Sequence, residues 1–109
     1  MQAVRAEAAG VVDRELSRAV VAYLRGSGLA WPTETPEAVA TELGAEATAR
    51  LMPRLKQLAR EAVYWPVDWQ DHDLVSATRA VEEDITAAHP ELDQNAVRAL
   101  GWYFSYCNK

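Results

Sequence analysis

Apolar residues recur every three or four positions along almost the whole chain, and this spacing limits the folds that the sequence can adopt. Such spacing is typical of helices with one buried face. Alanine occurs twenty times, and leucine, glutamate and arginine, which also favour helices, are common. No stretch alternates apolar and polar residues with the period of a strand. The sequence therefore predicts an all-α protein, a compact single-domain bundle of four to six helices over residues 1–109.

Glycine and proline indicate where the helices of the first half begin and end. A long amphipathic helix is predicted from about Gln2 to Arg25, ended by Gly26 in a left-handed cap. Thr35 and Pro36 suit the N-cap and the first position of the next helix. Residues 26–36 are a connector rich in turn formers.

Within residues 36–64, two residues interrupt the helical pattern. Gly44 interrupts or ends a helix, and Pro53 lacks a backbone N–H and clashes with the preceding turn. A break or kink is therefore predicted near Leu51 to Pro53. Residues 36–64 form either one bent helix or two or three shorter ones.

Two further helices are predicted in the second half. Residues 64–73 favour an ordered loop, and Asp71 or Asp73 caps a helix that runs to about Ala88. Asp93 caps the terminal helix, which is expected to pack centrally in the bundle. On that helix a core stripe is predicted at Val97, Leu100, Phe104 and Cys107, while Gly101 allows a neighbouring helix to approach and Trp102 and Tyr106 share the other face.

The chain carries one cysteine, which cannot form an internal disulfide and suits a reducing compartment. No basic-then-apolar leader opens the sequence, and no run reaches the roughly 20 apolar residues that span a bilayer. A cytoplasmic location is expected.

Negative charge is concentrated in one part of the chain. The formal net charge is −5, and residues 66–95 alone carry eight acids and one base, Arg79, a net of −7. An acidic field repels phosphates and anionic lipids, so neither nucleic acid nor membrane is an expected partner. A basic protein surface is the natural complement.

Aromatic residues bracket this acidic window, and aromatics beside acids are suitable anchors for a partner rich in Arg and Lys. The leading hypothesis is a small acidic protein-binding module. Small bacterial proteins that neutralise basic toxins or nucleases share this profile of size and charge, so an inhibitor or immunity-type role is expected. The predicted contact set is Asp68, Trp69, Asp71, Asp73, Glu82, Glu83 and Asp84.

Two alternatives remain open. One is a small-ligand or metal-dependent enzyme that uses Asp71, His72 and Asp73 in a pocket lined by Trp65 and Trp69. The sequence contains no H-E-x-x-H, no paired cysteines and no calcium loop, so no metal, cofactor or catalytic residue is assigned. The other is a homodimer formed through the Trp102 and Tyr106 face; otherwise a monomer is expected.

Overall fold

The computed structural model describes residues 11–109, and five α-helices with no strand form the framework of this part of the chain. They are α1 Arg14–Arg25, α2 Pro36–Leu43, α3 Ala45–Val63, α4 Leu74–Ala88 and α5 Gln94–Cys107. The all-helical fold and the number of helices predicted from the sequence are confirmed.

Aspartate side chains cap three of the helices. Asp13, Asp73 and Asp93 accept hydrogen bonds from backbone N–H groups three residues later, at 2.8–2.9 Å. These bonds satisfy donors that would otherwise lack a partner in the first turn. The hydrogen bonds from Ser76 hold the pKa of Asp73 below its usual value. Thr35 and Pro36 open α2 as predicted, although Thr35 makes no side-chain cap bond.

The helix α1 ends at Arg25 as predicted, but its start and the conformation of its Gly26 cap differ from the prediction. The helix begins at Arg14 because Asp13 is its N-cap, so residues 11–13 are not helical; residues 2–10 of the predicted helix lie outside the described part. Gly26 is right-handed, with φ −73°, and the left-handed cap assigned to it is wrong. The glycine serves packing instead, because a Cβ there would overlap the Cβ of Ala38 in α2.

The predicted break near Leu51 to Pro53 is wrong, because α3 continues through Pro53, whereas a kink there stays a prediction. Leu51 and Leu55 on either side of Pro53 are buried in the core, so packing holds both halves in one helix while the proline ring faces solvent. Gly44, with φ 92°, separates α2 from α3. Residues 36–64 are therefore two helices.

The terminal helix α5 lies at the centre of the bundle, as predicted, and packs against α1, α3 and α4. Val97, Leu100 and Phe104 of the predicted stripe are buried. Cys107 is exposed because it borders an open hollow beside Val63 and Tyr103, and its assignment to the stripe is wrong. Among the described residues, no helix is long and apolar enough to cross a membrane.

Candidate protein-binding surface

Residues 68–71, here called the Trp69 turn, form a tight turn in the loop between α3 and α4. The Asp71 N–H donates to the Asp68 carbonyl at 3.1 Å, and the Gln70 N–H donates to Asp68 Oδ1 at 3.0 Å. A turn of this type holds its first and fourth Cα atoms within about 7 Å. Two exposed carboxylates, those of Asp68 and Asp71, therefore lie in the same tight turn as Trp69.

The ring of Trp69 is both exposed and fixed in place. It stacks on Phe104 of α5, with ring centroids 6.1 Å apart and planes 3° from parallel. Phe104 is fully buried, whereas Trp69 remains 47% exposed. The turn therefore presents an aromatic ring that the core of the bundle holds in one orientation.

Trp65 and Asp84 attach the start of the same loop to α4. The Trp65 Nε1–H donates to Asp84 Oδ2 at 3.1 Å. Asp84 belongs to the predicted contact set, but this hydrogen bond already occupies one of its carboxylate oxygens. Asp84 therefore has a role in the fold.

Glu82 and Glu83 face different sides of α4. Glu82 is half-buried against Gly101 of α5, where a Cβ would lie 2.6 Å from Glu82 Cγ, so the predicted close approach at Gly101 is confirmed. Burial raises the pKa of Glu82, although Arg98 and Arg79 act in the opposite direction. Glu83 is exposed, about 200° around the helix from the buried Val81.

The predicted contact residues are therefore not equivalent. Asp68, Trp69 and Asp71 lie together in the Trp69 turn, and Asp73 caps the adjacent helix. The three acids at positions 82–84 lie nine to eleven residues further along α4, roughly 14–17 Å at 1.5 Å per residue.

His72 and its two neighbours do not converge on a common point. His72 Nδ1 lies 3.0 Å from the Ser76 hydroxyl, and the Asp73 carboxylate bonds the Ser76 N–H. Within residues 11–109, no group of three His, Cys, Asp or Glu side chains could hold a metal ion. The two tryptophans predicted to line one pocket do not share one. Trp65 lines a hollow of about 440 Å³, whereas Trp69 packs on Phe104.

The Trp102 and Tyr106 face is partly covered by the chain's own cations. The Arg25 guanidinium lies 4.4 Å from the Trp102 ring centroid, and Lys109 Nζ lies 4.7 Å from that of Tyr106. Trp102 is half-buried and Tyr106 is exposed. A homodimer through this face stays a prediction.

A cluster that sequence reasoning missed joins three distant parts of the chain. The Tyr23 and Tyr103 hydroxyls donate to the two carboxylate oxygens of Glu34, at 2.5 and 2.6 Å. Burial and the Glu34 carboxylate raise the pKa of both tyrosines. This Glu34 clamp fixes the connector between α1 and α2 against α5. No local motif signals it, because Glu34 and Tyr103 are 69 positions apart.

The fold and the surface define a small helical bundle that displays an acid-flanked tryptophan. No protein-family model matches the chain, nor does any curated protein or solved structure. Functional proposals therefore depend on the geometry described above.

Proposed function

We propose that this protein is a small protein-binding module that docks a basic surface of another protein through the Trp69 turn. The observation that carries the proposal is the combination at Trp69 of exposure, fixed orientation and flanking carboxylates. The proposal keeps Asp68, Trp69 and Asp71 as the direct contacts. Asp73 and Asp84 support the fold through their hydrogen bonds, while Glu82 and the exposed Glu83 add to the negative field.

Fixing the Trp69 ring before binding favours affinity. An interface residue that is already ordered loses less conformational freedom when a partner arrives. Tryptophan is enriched among the few residues that carry most of the binding energy of an interface. An arginine or lysine of the partner can also stack on the exposed ring.

The charge of the turn is directed outward. Elsewhere in the bundle, carboxylates pair with arginines: Glu42 with Arg18, Glu15 with Arg50, and Glu91 with Arg54. Among residues 11–109, no arginine or lysine lies within ion-pair distance of Asp68 or Asp71. Their charge therefore attracts a cationic partner and increases its rate of association.

An inhibitor or immunity-type protein that neutralises a basic toxin or nuclease, within the cytoplasm, is the particular form of this proposal. Its support is the small size, the net charge of −5 and the position of the aromatic anchor. A genomic neighbour that encodes a basic toxin-like domain would supply the partner for a direct test.

The test compares variants in a pull-down at low salt, followed by binding kinetics with the captured protein. We expect Trp69→Ala and the double variant Asp68→Asn/Asp71→Asn each to weaken binding at least about tenfold. Asparagine at position 68 keeps the acceptor for the Gln70 N–H, so the turn is retained. The matched control, Glu37→Gln/Glu46→Gln, removes the same charge from α2 and α3.

The association rate of the wild type should also fall steeply as salt rises, because screening weakens the attraction between exposed charges. Circular dichroism of each variant checks that the helices remain folded. A partner that binds the turn variants and the control equally well would refute the role of the Trp69 turn. An association rate independent of salt would refute its electrostatic part.

A further inference from the structure

The solvent-facing side of α3 borders two adjoining hollows. The first, of about 660 Å³, is lined by residues that include Glu34, Lys56 and Tyr103. The second, of about 440 Å³, is bounded by Trp65 and Pro66. Gln57, Arg60 and Tyr64 line both hollows, which therefore adjoin and are together called the α3 groove here.

The carboxylates of the α3 groove are already engaged. Glu34 accepts hydrogen bonds from Tyr23 and Tyr103 through its two oxygens. Glu61 Oε1 lies 2.5 Å from His89 Nε2. Neither acid forms an ion pair with Lys56 or Arg60.

The two cations of the groove, in contrast, are free of ion pairs within the described part of the chain. Lys56 and Arg60 are exposed, lie one turn apart on α3, and form no ion pair with any residue of the described part. Other arginines of the same helix behave differently, since Arg50 bonds Glu15 and Arg54 bonds Glu91. In a chain of net charge −5, the groove therefore presents two positive charges without an internal partner.

Aromatic side chains complete the walls. Tyr64 is 76% exposed and follows Arg60 by one helical turn. The Trp65 indole is held by Asp84, and the Tyr103 hydroxyl is held by Glu34. The walls thus combine exposed apolar surface with side chains whose positions are set before anything binds.

We propose that the α3 groove is a second binding site, which takes an acidic peptide segment of a partner protein. Carboxylates of the segment would pair with Lys56 and Arg60, the latter through its planar guanidinium. A large apolar side chain beside them would lie against Tyr64 and Trp65. A shallow groove on a helix face suits an extended chain, and Lys56 and Arg60, which have no ion-pair partner among residues 11–109, favour an acidic one. This site is independent of the Trp69 turn, because the two depend on different side chains of opposite charge.

The test uses the whole protein and a capped, dye-labelled peptide in which glutamates surround a central leucine, with binding followed by fluorescence anisotropy at low salt. We expect saturable binding that falls at least about tenfold in Lys56→Glu/Arg60→Glu and about threefold or more in Tyr64→Ala. The control Arg14→Glu/Arg79→Glu makes the same change of charge on α1 and α4 and should bind like the wild type. Asp68→Asn/Asp71→Asn should not weaken this binding.

The inference would be overturned by no saturable binding of the glutamate peptide, by equal binding of a peptide with lysines in place of the glutamates, or by equal loss in the Arg14/Arg79 control. Displacement of the peptide by a single-stranded oligonucleotide at equal charge concentration would also overturn it, because the groove would then select any polyanion. The α3 groove variants leave Asp68, Trp69 and Asp71 intact, so a failure here leaves the proposed function standing.

Discussion

At the contact between α4 and α5, a single glycine determines where one carboxylate lies. Gly101 has no side chain, and Glu82 occupies the space that a Cβ would need. The carboxylate is half-buried there, which raises its pKa above the ordinary value of 4.5. Arg98 and Arg79 lower the pKa, but the effect of burial is larger. The ionised form of Glu82 is therefore less favourable in the folded chain than in the unfolded chain.

We expect Glu82→Gln to raise the melting temperature at neutral pH. A carboxyl with a raised pKa in the folded state binds more protons there than in the unfolded chain, so its ionisation costs stability as the pH rises. Above the folded pKa the full cost is present. Below 4.5, the ordinary value, both states are protonated and the cost disappears. The advantage of glutamine should therefore shrink as the pH falls through this window.

Thermal unfolding of both proteins at neutral and acidic pH measures this difference. Glu83→Gln removes the same charge from the exposed side of α4 and should change the melting temperature much less. A glutamine variant less stable than the wild type at neutral pH would mean that the attraction of Arg98 and Arg79 outweighs the burial of Glu82.

At the scale of helices, the two prolines of α2 and α3 occupy positions with opposite consequences. Pro36 is at the start of α2, where its missing N–H has no intrahelical partner to bond. Pro53 lies inside α3, where it deprives the Ala49 carbonyl of its donor. Substituting each proline in turn therefore compares a proline at a helix start with one inside a helix.

We expect Pro53→Ala to stabilise the protein by about 1–3 kcal/mol, because alanine restores the hydrogen bond and removes the clash. Pro36→Ala should have an effect of less than about 1 kcal/mol, since proline is already suited to a first helical position. Urea unfolding of the wild type and the two variants measures these differences. Equal m-values are required, because only then does a shift in midpoint report a change in stability. Equal effects of the two substitutions would contradict this account of α3.

Local chemistry explains why some helix ends could be predicted from the sequence and others could not. Asp73, Asp93 and Gly44 act through their own side chains or backbone angles, and each marks an end as expected. The continuation of α3 through Pro53 depends instead on buried leucines that contact other helices. Such tertiary contacts override local preference and are not visible in the local pattern.

The candidate binding surface could likewise be predicted only where local sequence determines it. Acids and aromatics around residues 64–73 were recognised from composition, but the stacking of Trp69 on Phe104 joins residues 35 positions apart. Periodicity also placed Cys107 on the core stripe, although it cannot indicate that this position borders an open hollow. The Glu34 clamp was missed for a related reason, because its members come from α1, a connector and α5.

Across the whole molecule, the helices are unequally integrated into the bundle. α1 and α3 each bury six residues, whereas α4 buries three, Ala77, Val81 and Ile85. α4 packs mainly on α5, whereas α1 and α3 each contact three other helices. Elements with few buried contacts open at lower free energy than the global unfolding. The Trp65–Asp84 hydrogen bond is then one of the ties that hold α4 and its preceding loop to the bundle.

We expect amide hydrogen exchange to show that α4 opens more readily than α1 and α5, and that Trp65→Phe increases this difference. Phenylalanine keeps the aromatic wall but cannot donate to Asp84, and the loss of about 1 kcal/mol should speed exchange in α4 a few-fold. Exchange in α1 should hardly change. Trp31→Phe is the matched control, because Trp31 lies 46% exposed in the connector between α1 and α2. Uniform acceleration along the whole chain in Trp65→Phe would show that α4 unfolds only together with the rest of the bundle.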